Sequence, residues 1–141
     1  MIAIDTSAIL AIVFDEPERE RFAGIVEESD KILISTVSVV EAKMVVHGRR
    51  GIRGVIMVEN MLDLPQFEIT PQTTQDMEAA FAAFLAFGKG SGHRAALNFG
   101  DVFVYALAKL RDLPLLFKGK DFAETDLQPV VTNSPLGDRR H

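Results

Sequence analysis

The chain has 141 residues, 48% of them hydrophobic and 25% charged, a mixture that fits one globular domain and excludes a disordered or fibrous chain. Cysteine is absent, which excludes disulfide frameworks, thiol catalysis and thiolate zinc sites; the histidines His47, His93 and His141 lack zinc-ligand spacing. Lys and Arg number 15 against 20 Asp and Glu, a formal charge of -5, which argues against coating nucleic acid through bulk positive charge.

The elements follow in order. Met1 to Asp5 is a short β-branched run, and the hydroxyl pair Thr6-Ser7 is suited to cap a helix carrying Ile9, Leu10 and Val13. Pro17 fits the first turn of a second helix, with Phe22, Ile25 and Val26 on one face. Lys31 to Ile34 reads as a strand. Ser35 to Arg50 reads as a helix ended by His47-Gly48-Arg49-Arg50-Gly51, followed by another over Ile52 to Leu62. Phe67 to Thr70 is a brief strand. Gln72 to Phe87 is an amphipathic helix whose stripe of Met77, Ala80, Phe81, Phe84 and Phe87 has core spacing rather than the look of a base-stacking platform. Gly88 to Gly92 is a flexible loop, Asn98 to Lys109 a helix, Leu115 to Phe117 a buried strand, Asp121 to Glu124 a turn, and Pro129 to Val131 an edge strand.

One domain is expected over residues 1–131, with a mobile tail from Thr132 to His141. The apolar opening to Phe14 has no basic leader, carries Asp5, and is shorter than the ~20 residues a membrane span requires. Neither a signal peptide nor an anchor is expected, and a reducing cytoplasm is the expected setting. Short apolar strands alternating with helices call for an α/β fold with a mainly parallel sheet covered on both faces. Ligands of such sheets bind beyond the carboxyl ends of the strands.

Four acids fall toward that edge. Asp5 closes the first strand, Asp121 follows the Leu115 run, and Glu41 and Asp101 sit early in helices. Each has a purely structural alternative. Asp5 would cap the first helix, Asp101 would favour a helix N-terminus, Asp121 and Glu124 would form a capping pair, and Ser38 with Glu41 matches a capping box. Glu41 fits this alternative least, because Val37, Met44 and Val45 surround it at helical spacing with no basic partner. Two carboxylates 5 Å apart repel by roughly 3 kcal/mol at an effective dielectric near 20. Protons or a cation must therefore intervene, and all-oxygen donors suit magnesium or manganese better than zinc or copper. Such a site favours phosphodiester hydrolysis. No serine-histidine pair and no G-x-x-x-x-G-K-[ST] loop competes with it.

These residues resemble the PIN-domain ribonucleases, in particular VapC-type toxins of type II toxin–antitoxin systems. The resemblance spans nearly the whole chain. It rests on Met-Ile-Ala-Ile-Asp-Thr-Ser-Ala at the start, the Glu41 helix, Ala96-Leu97-Asn98-Phe99-Gly100-Asp101 through Tyr105-Ala106, and Leu115 to Phe122 followed by Thr125-Asp126. It implies a PIN-like three-layer α/β/α sandwich and an Mg2+- or Mn2+-dependent endoribonuclease with Asp5, Glu41, Asp101 and Asp121 as its acidic quartet. Asp5 and Asp101 would be the firmest ligands, with Thr6, Ser7 and Asn98 in support. Lys120 stands where many relatives place a polar or acidic residue, which leaves Asp121 the weakest member and Asp126 an alternative to it. Among the basic side chains, Arg49, Arg50 and Lys118 are the expected RNA contacts. The resemblance further implies a homodimer and a VapB-type antitoxin seated in a hydrophobic groove among the N-terminal helices. Two rival readings remain at this level: a catalytically silent PIN-like binding module, and a phosphotransfer enzyme or receiver-like switch accepting phosphate on Asp5 or an adjacent acid.

Overall fold

A computed structural model describes residues 1–130. The expected tail, and Val131 at the end of the expected edge strand, lie outside the described residues. The elements are β1 (Ile2–Ile4), α1 (Thr6–Val13), α2 (Arg19–Glu28), β2 (Ile32–Ser35), α3 (Thr36–Leu62), β3 (Phe67–Thr70), α4 (Thr74–Phe87), α5 (Phe99–Leu110) and β4 (Leu115–Leu116), then a 3-10 turn at Phe122–Glu124.

The strands pair in the order β3-β2-β1-β4, every pair parallel. Because side chains alternate across a strand, the sheet feeds two cores. Ile2, Ile4, Ile32, Ile34 and Leu116 pack with α1, α2 and α3, while Ala3, Leu33 and Leu115 pack with α4 and α5. The result is the expected three-layer α/β/α arrangement, with β1, β2 and β4 buried on both faces and the edge strand β3 partly exposed at Glu68 and Ile69.

The break expected in the long helical stretch occurs at Gly51, whose φ of 63° and ψ of -156° belong to a backbone region that essentially only glycine occupies. Lys43 Nζ and Glu59 Oε2 lie 3.0 Å apart, although 16 residues along a straight helix would span about 24 Å. The arm 52–62 therefore folds back on 36–50, and Val46 and Val58 join one core. Gly54 permits this closeness: a Cβ there would overlap Val46 Cγ1 and Arg50 Cβ.

Three expectations are corrected. The last strand is shorter, Leu115–Leu116, and Pro129 contributes a single bridge to Leu115 rather than a strand. Gly88 to Gly92 is tied at its base, where Leu97 N donates to Phe87 O and Lys89 N donates to Leu97 O. The stripe of α4 is core only in part: Ala80 is buried and Phe87 packs against the core, but Phe81 is 61% exposed, and Met77 and Phe84 are also exposed. The inward positions are Asp76, Ala80 and Ala83. Small alanines let α4 approach α5, and the buried Asp76 pairs with Arg111 of the following segment, which turns the larger aromatics outward.

Candidate active site

Parallel strands end on one edge, and the chain leaves each of them into a helix or loop carrying an acid. Asp5 follows β1 and is the N-cap of α1, its Oδ2 accepting from Ser7 N at 3.0 Å. The expected Thr6-Ser7 cap is thus replaced by Asp5 itself. Thr6 is buried and donates its hydroxyl to Ser38 O at 3.3 Å, fastening α1 to α3. Ser7 Oγ accepts from Lys118 N at 2.9 Å, fastening the start of α1 to the segment after β4.

Ser35 at the end of β2 caps α3 by accepting from Val37 N at 3.0 Å, so the Ser38–Glu41 capping box does not form. Ser38 is 1% exposed and its Oγ has no hydrogen-bond partner. Asp101 lies in the first turn of α5, held by a reciprocal capping box: Asn98 N donates to Asp101 Oδ2 at 3.0 Å, and Asp101 N donates to Asn98 Oδ1 at 2.9 Å. Asp121 is exposed and makes no side-chain cap, which removes the capping-pair reading with Glu124; Glu124 pairs with Arg94 at 3.0 Å.

The acids act on one another. Asp101 is raised to about 6, first by desolvation and then by the negative charges of Asp5, Asp121 and Glu41, against the hydrogen bond from Asn98. Asp5 is also raised, chiefly by burial, with Glu41 adding repulsion and Ser7 hydrogen bonds opposing it. Acids from four separate segments therefore share one field. Among the described residues none of the four has a Lys or Arg partner. Glu41 lies against α5, where a Cβ placed on Gly100 would stand 2.7 Å from its Oε2. Its apolar surroundings, Val40, Met44 and Val45, are exposed rather than core, and they line a groove of about 660 Å³ with Phe99 and Asn98.

The donors are all hard oxygens, and the buried Ser38 hydroxyl without a partner adds a free polar group on the same side of α3, one turn before Glu41. This chemistry fits a hard divalent ion. Among the described residues, however, no three Asp, Glu or His side chains already stand as a group that would hold a metal. Two of the acids have an oxygen committed to helix capping, and carboxylates without an intervening cation repel one another. Asp5, only 5% exposed and engaged by Ser7, is poorly placed to accept a phosphoryl group.

Other expected residues lie elsewhere. Asp126 accepts from Tyr105 Oη at 2.6 Å and Lys109 Nζ at 2.8 Å, so it anchors the terminal turn and does not substitute for Asp121. Lys118 Nζ is held by Glu16 at 2.8 Å and Glu18 at 3.3 Å, which neutralises the charge it was expected to offer RNA. Arg49 and Arg50 place their guanidinium carbons 3.9 and 5.2 Å from the centre of the Phe14 ring. That stack marks the far ends of α1 and the first arm of α3, roughly 12 Å along the helix from Glu41. Sequence reasoning missed Gly100 and the orphaned Ser38 hydroxyl; the signal available was a glycine directly before Asp101 and a serine three residues before Glu41.

The family model described as PIN domain matches residues 2–127. This chain belongs to the PIN domain family. The PIN domain is 42% identical over 130 residues to Ribonuclease VapC30 of Mycobacterium tuberculosis, covering 92% of this chain and 98% of that one. It is 40% identical over 129 residues to Ribonuclease VapC of Mycolicibacterium smegmatis, covering 92% and 99%, which places it among the VapC ribonucleases. Among solved structures, Mycobacterium tuberculosis VapC20, described as a sarcin-ricin loop cleaving toxin, superposes with a TM-score of 0.77 at 14% identity over 92% of this PIN domain and 98% of that chain. DNA-bound VapBC from Salmonella typhimurium gives 0.68 at 20% identity over 92% and 98%. At such identities these two bear on the fold alone. Among the described residues no helix is long and apolar enough to cross a membrane.

Proposed function

We propose that this PIN domain is a cytoplasmic endoribonuclease toxin that hydrolyses RNA phosphodiester bonds with Mg2+ or Mn2+ and is restrained by a VapB-type antitoxin. The observation that carries this reading is the unpaired acid field: Asp101 is pushed to about 6 partly by Asp5, Asp121 and Glu41, a conflict that a divalent cation relieves. The ribonuclease names of the VapC relatives supply the substrate class.

Asp5 and Asp101 would hold the ion, with Glu41 and Asp121 completing its surroundings. A hard divalent ion held there would supply charge neutralisation for a phosphodiester and a more acidic water. The chain's own contribution is placement. Asn98 fixes one oxygen of Asp101, Ser7 fixes one of Asp5, and Thr6 ties the Asp5 turn to the helix bearing Glu41. Below about pH 6 Asp101 keeps its proton, and that proton competes with the ion. Arg49 and Arg50 would meet RNA only beyond the acid edge, at the Phe14 stack.

The groove between α3 and α5 supports an apolar partner segment beside Glu41. An antitoxin basic side chain reaching the acids from it would take the place of the cation's charge, and a second copy of the chain would complete the functional assembly. The domain assignment proposed for this activity is residues 1–131. The alternative is a catalytically silent binding module, in which Asp5 and Asp101 would serve only as helix caps.

The deciding experiment uses the full chain purified free of antitoxin. RNA cleavage should require Mg2+ or Mn2+ and stop with chelator, and Asp5→Asn or Asp101→Asn should each lower it by roughly 100-fold or more while the fold is retained. Normal cleavage by the double variant would sink the assignment. Calorimetry with Mn2+ separates the silent module, which would take up no ion dependent on the acids.

A further inference from the structure

We infer that Gly100 is a positioning residue of the acid site, conserving through its missing side chain the place that the Glu41 carboxylate occupies against α5. The inference rests on the metal-dependent reading for its functional consequence and on geometry alone for its premise. Gly100 is the second residue of α5, after Phe99 and before Asp101. It is buried, and a Cβ added there would stand 2.7 Å from Glu41 Oε2 and 3.1 Å from both Cδ and Oε1. The nearest atoms are all one carboxylate.

No backbone requirement explains this glycine. Its φ lies outside the left-handed range in which Gly51, Gly90, Gly92 and Gly119 are found, so alanine would fit the local conformation and, by helix propensity, favour the helix. Gly54 shows what a packing glycine looks like in the same chain: its Cβ would meet Val46 Cγ1, Arg50 Cβ and the Val46 carbonyl oxygen, side-chain hydrocarbon and backbone of the α3 hairpin. At Gly100 the space is reserved for a charged group that also bears on Asp101 and Asp5.

The position also accounts for a carboxylate in an apolar groove without a basic partner. The first turn of a helix presents amides without intrahelical acceptors and the positive end of the macrodipole, and Glu41 lies beside that turn. A methyl at position 100 would push the carboxylate off α5, away from Asp101, while leaving the capping box of Asn98 and Asp101 untouched.

The test is a double-mutant cycle of Gly100→Ala and Glu41→Ala in the full chain, read by thermal unfolding in chelator and by Mn2+ titration calorimetry. In the Glu41→Ala background, Gly100→Ala should raise the melting temperature by about 2–4 °C; with Glu41 present the gain should be smaller, because the carboxylate must move off α5. Mn2+ affinity should fall about 10-fold on Gly100→Ala alone and show no further loss once Glu41 is gone. Equal thermal effects in the two backgrounds would overturn the inference whether or not the protein binds metal. An affinity loss that persists in the Glu41→Ala background would overturn it as well. Failure of the unmodified chain to bind Mn2+ would instead remove the metal-dependent reading, with the thermal cycle still deciding the role of Gly100.

Discussion

Asp76 and Asp101 occupy the same local position in two helices. Each is the third helical residue and closes a reciprocal capping box, Asp76 with Thr73 and Asp101 with Asn98. Their surroundings reverse their chemistry. Asp76 is 1% exposed and faces Arg111 NH1 at 2.9 Å, and that guanidinium, with help from Thr73, holds its carboxyl below the usual range. Among the described residues Asp101 meets no Lys or Arg, only burial and three other acids, and rises to about 6. One box is completed as an internal clamp between α4 and the end of α5; the other is left with a charge to be neutralised from outside. The motif sets the orientation of the carboxylate, and the tertiary neighbours decide whether it serves stability or chemistry.

The largest expected difference between the two acids is in RNA cleavage. Asp101→Asn should lose roughly 100-fold, whereas Asp76→Asn should stay within about twofold per folded molecule. A comparable loss from both would mean that the second box also serves the reaction. Stability should show the opposite order. Asp76→Ala leaves the partly buried Arg111 without its partner and should cost about 3 kcal/mol, lowering the melting temperature by about 10 °C. A thermal shift below about 2 °C would show that the clamp contributes little.

The smallest effect is in the pH dependence of the metal-free protein. Between the ordinary 3.8 of an aspartate and about 6, the folded chain holds the Asp101 proton and the unfolded chain does not, so stability falls as pH rises through that window. Asp101→Asn removes this loss and keeps a side chain able to accept the cap hydrogen bond. It should therefore gain about 1 kcal/mol at pH 7 in chelator, after allowance for solvent screening, and nothing near pH 4. Asp76 has the reverse sign: its lowered value gives stability that is complete above the ordinary range and lost as pH falls below it. Melting curves of the two asparagine variants at pH 3, 4, 5.5 and 7 check both signs, the step from pH 4 to 3 reading Asp76, and a gain for Asp101→Asn that persists at pH 4 would break the contrast.

Much of the architecture was legible because it rests on local rules. Apolar runs gave the strands, helical spacing gave α2 and α5, and the segment ending at Gly51 gave the break in α3, though not the folding back of its second arm. The edge beyond Asp5 and Glu41 was expected from parallel strands, whereas Asp101, in a helix that follows another helix, joined the expected set through its place early in that helix and the family resemblance. The α4 stripe failed because spacing identifies an apolar face without saying what packs on it. Ala80, Ala83 and the Asp76–Arg111 pair take the interior, and Phe81 is left outside. The ion pairs of Lys118 were not legible for a related reason, since its partners Glu16 and Glu18 lie about a hundred residues away in the chain. Asp126 could be read either as a substitute for Asp121 or as an anchor, and the Tyr105 and Lys109 contacts place it as the anchor.

By itself the sequence determined the alternation of strand and helix and the set of acids at the strand ends, because backbone preference and side-chain periodicity act within a few residues. Only the tertiary structure decided which carboxylates are neutralised by internal cations and which confront one another, because electrostatic partners are chosen by proximity in space. That is why two identical capping boxes have opposite titration behaviour, and why a glycine beside Asp101 makes room for a glutamate 59 positions earlier in the chain.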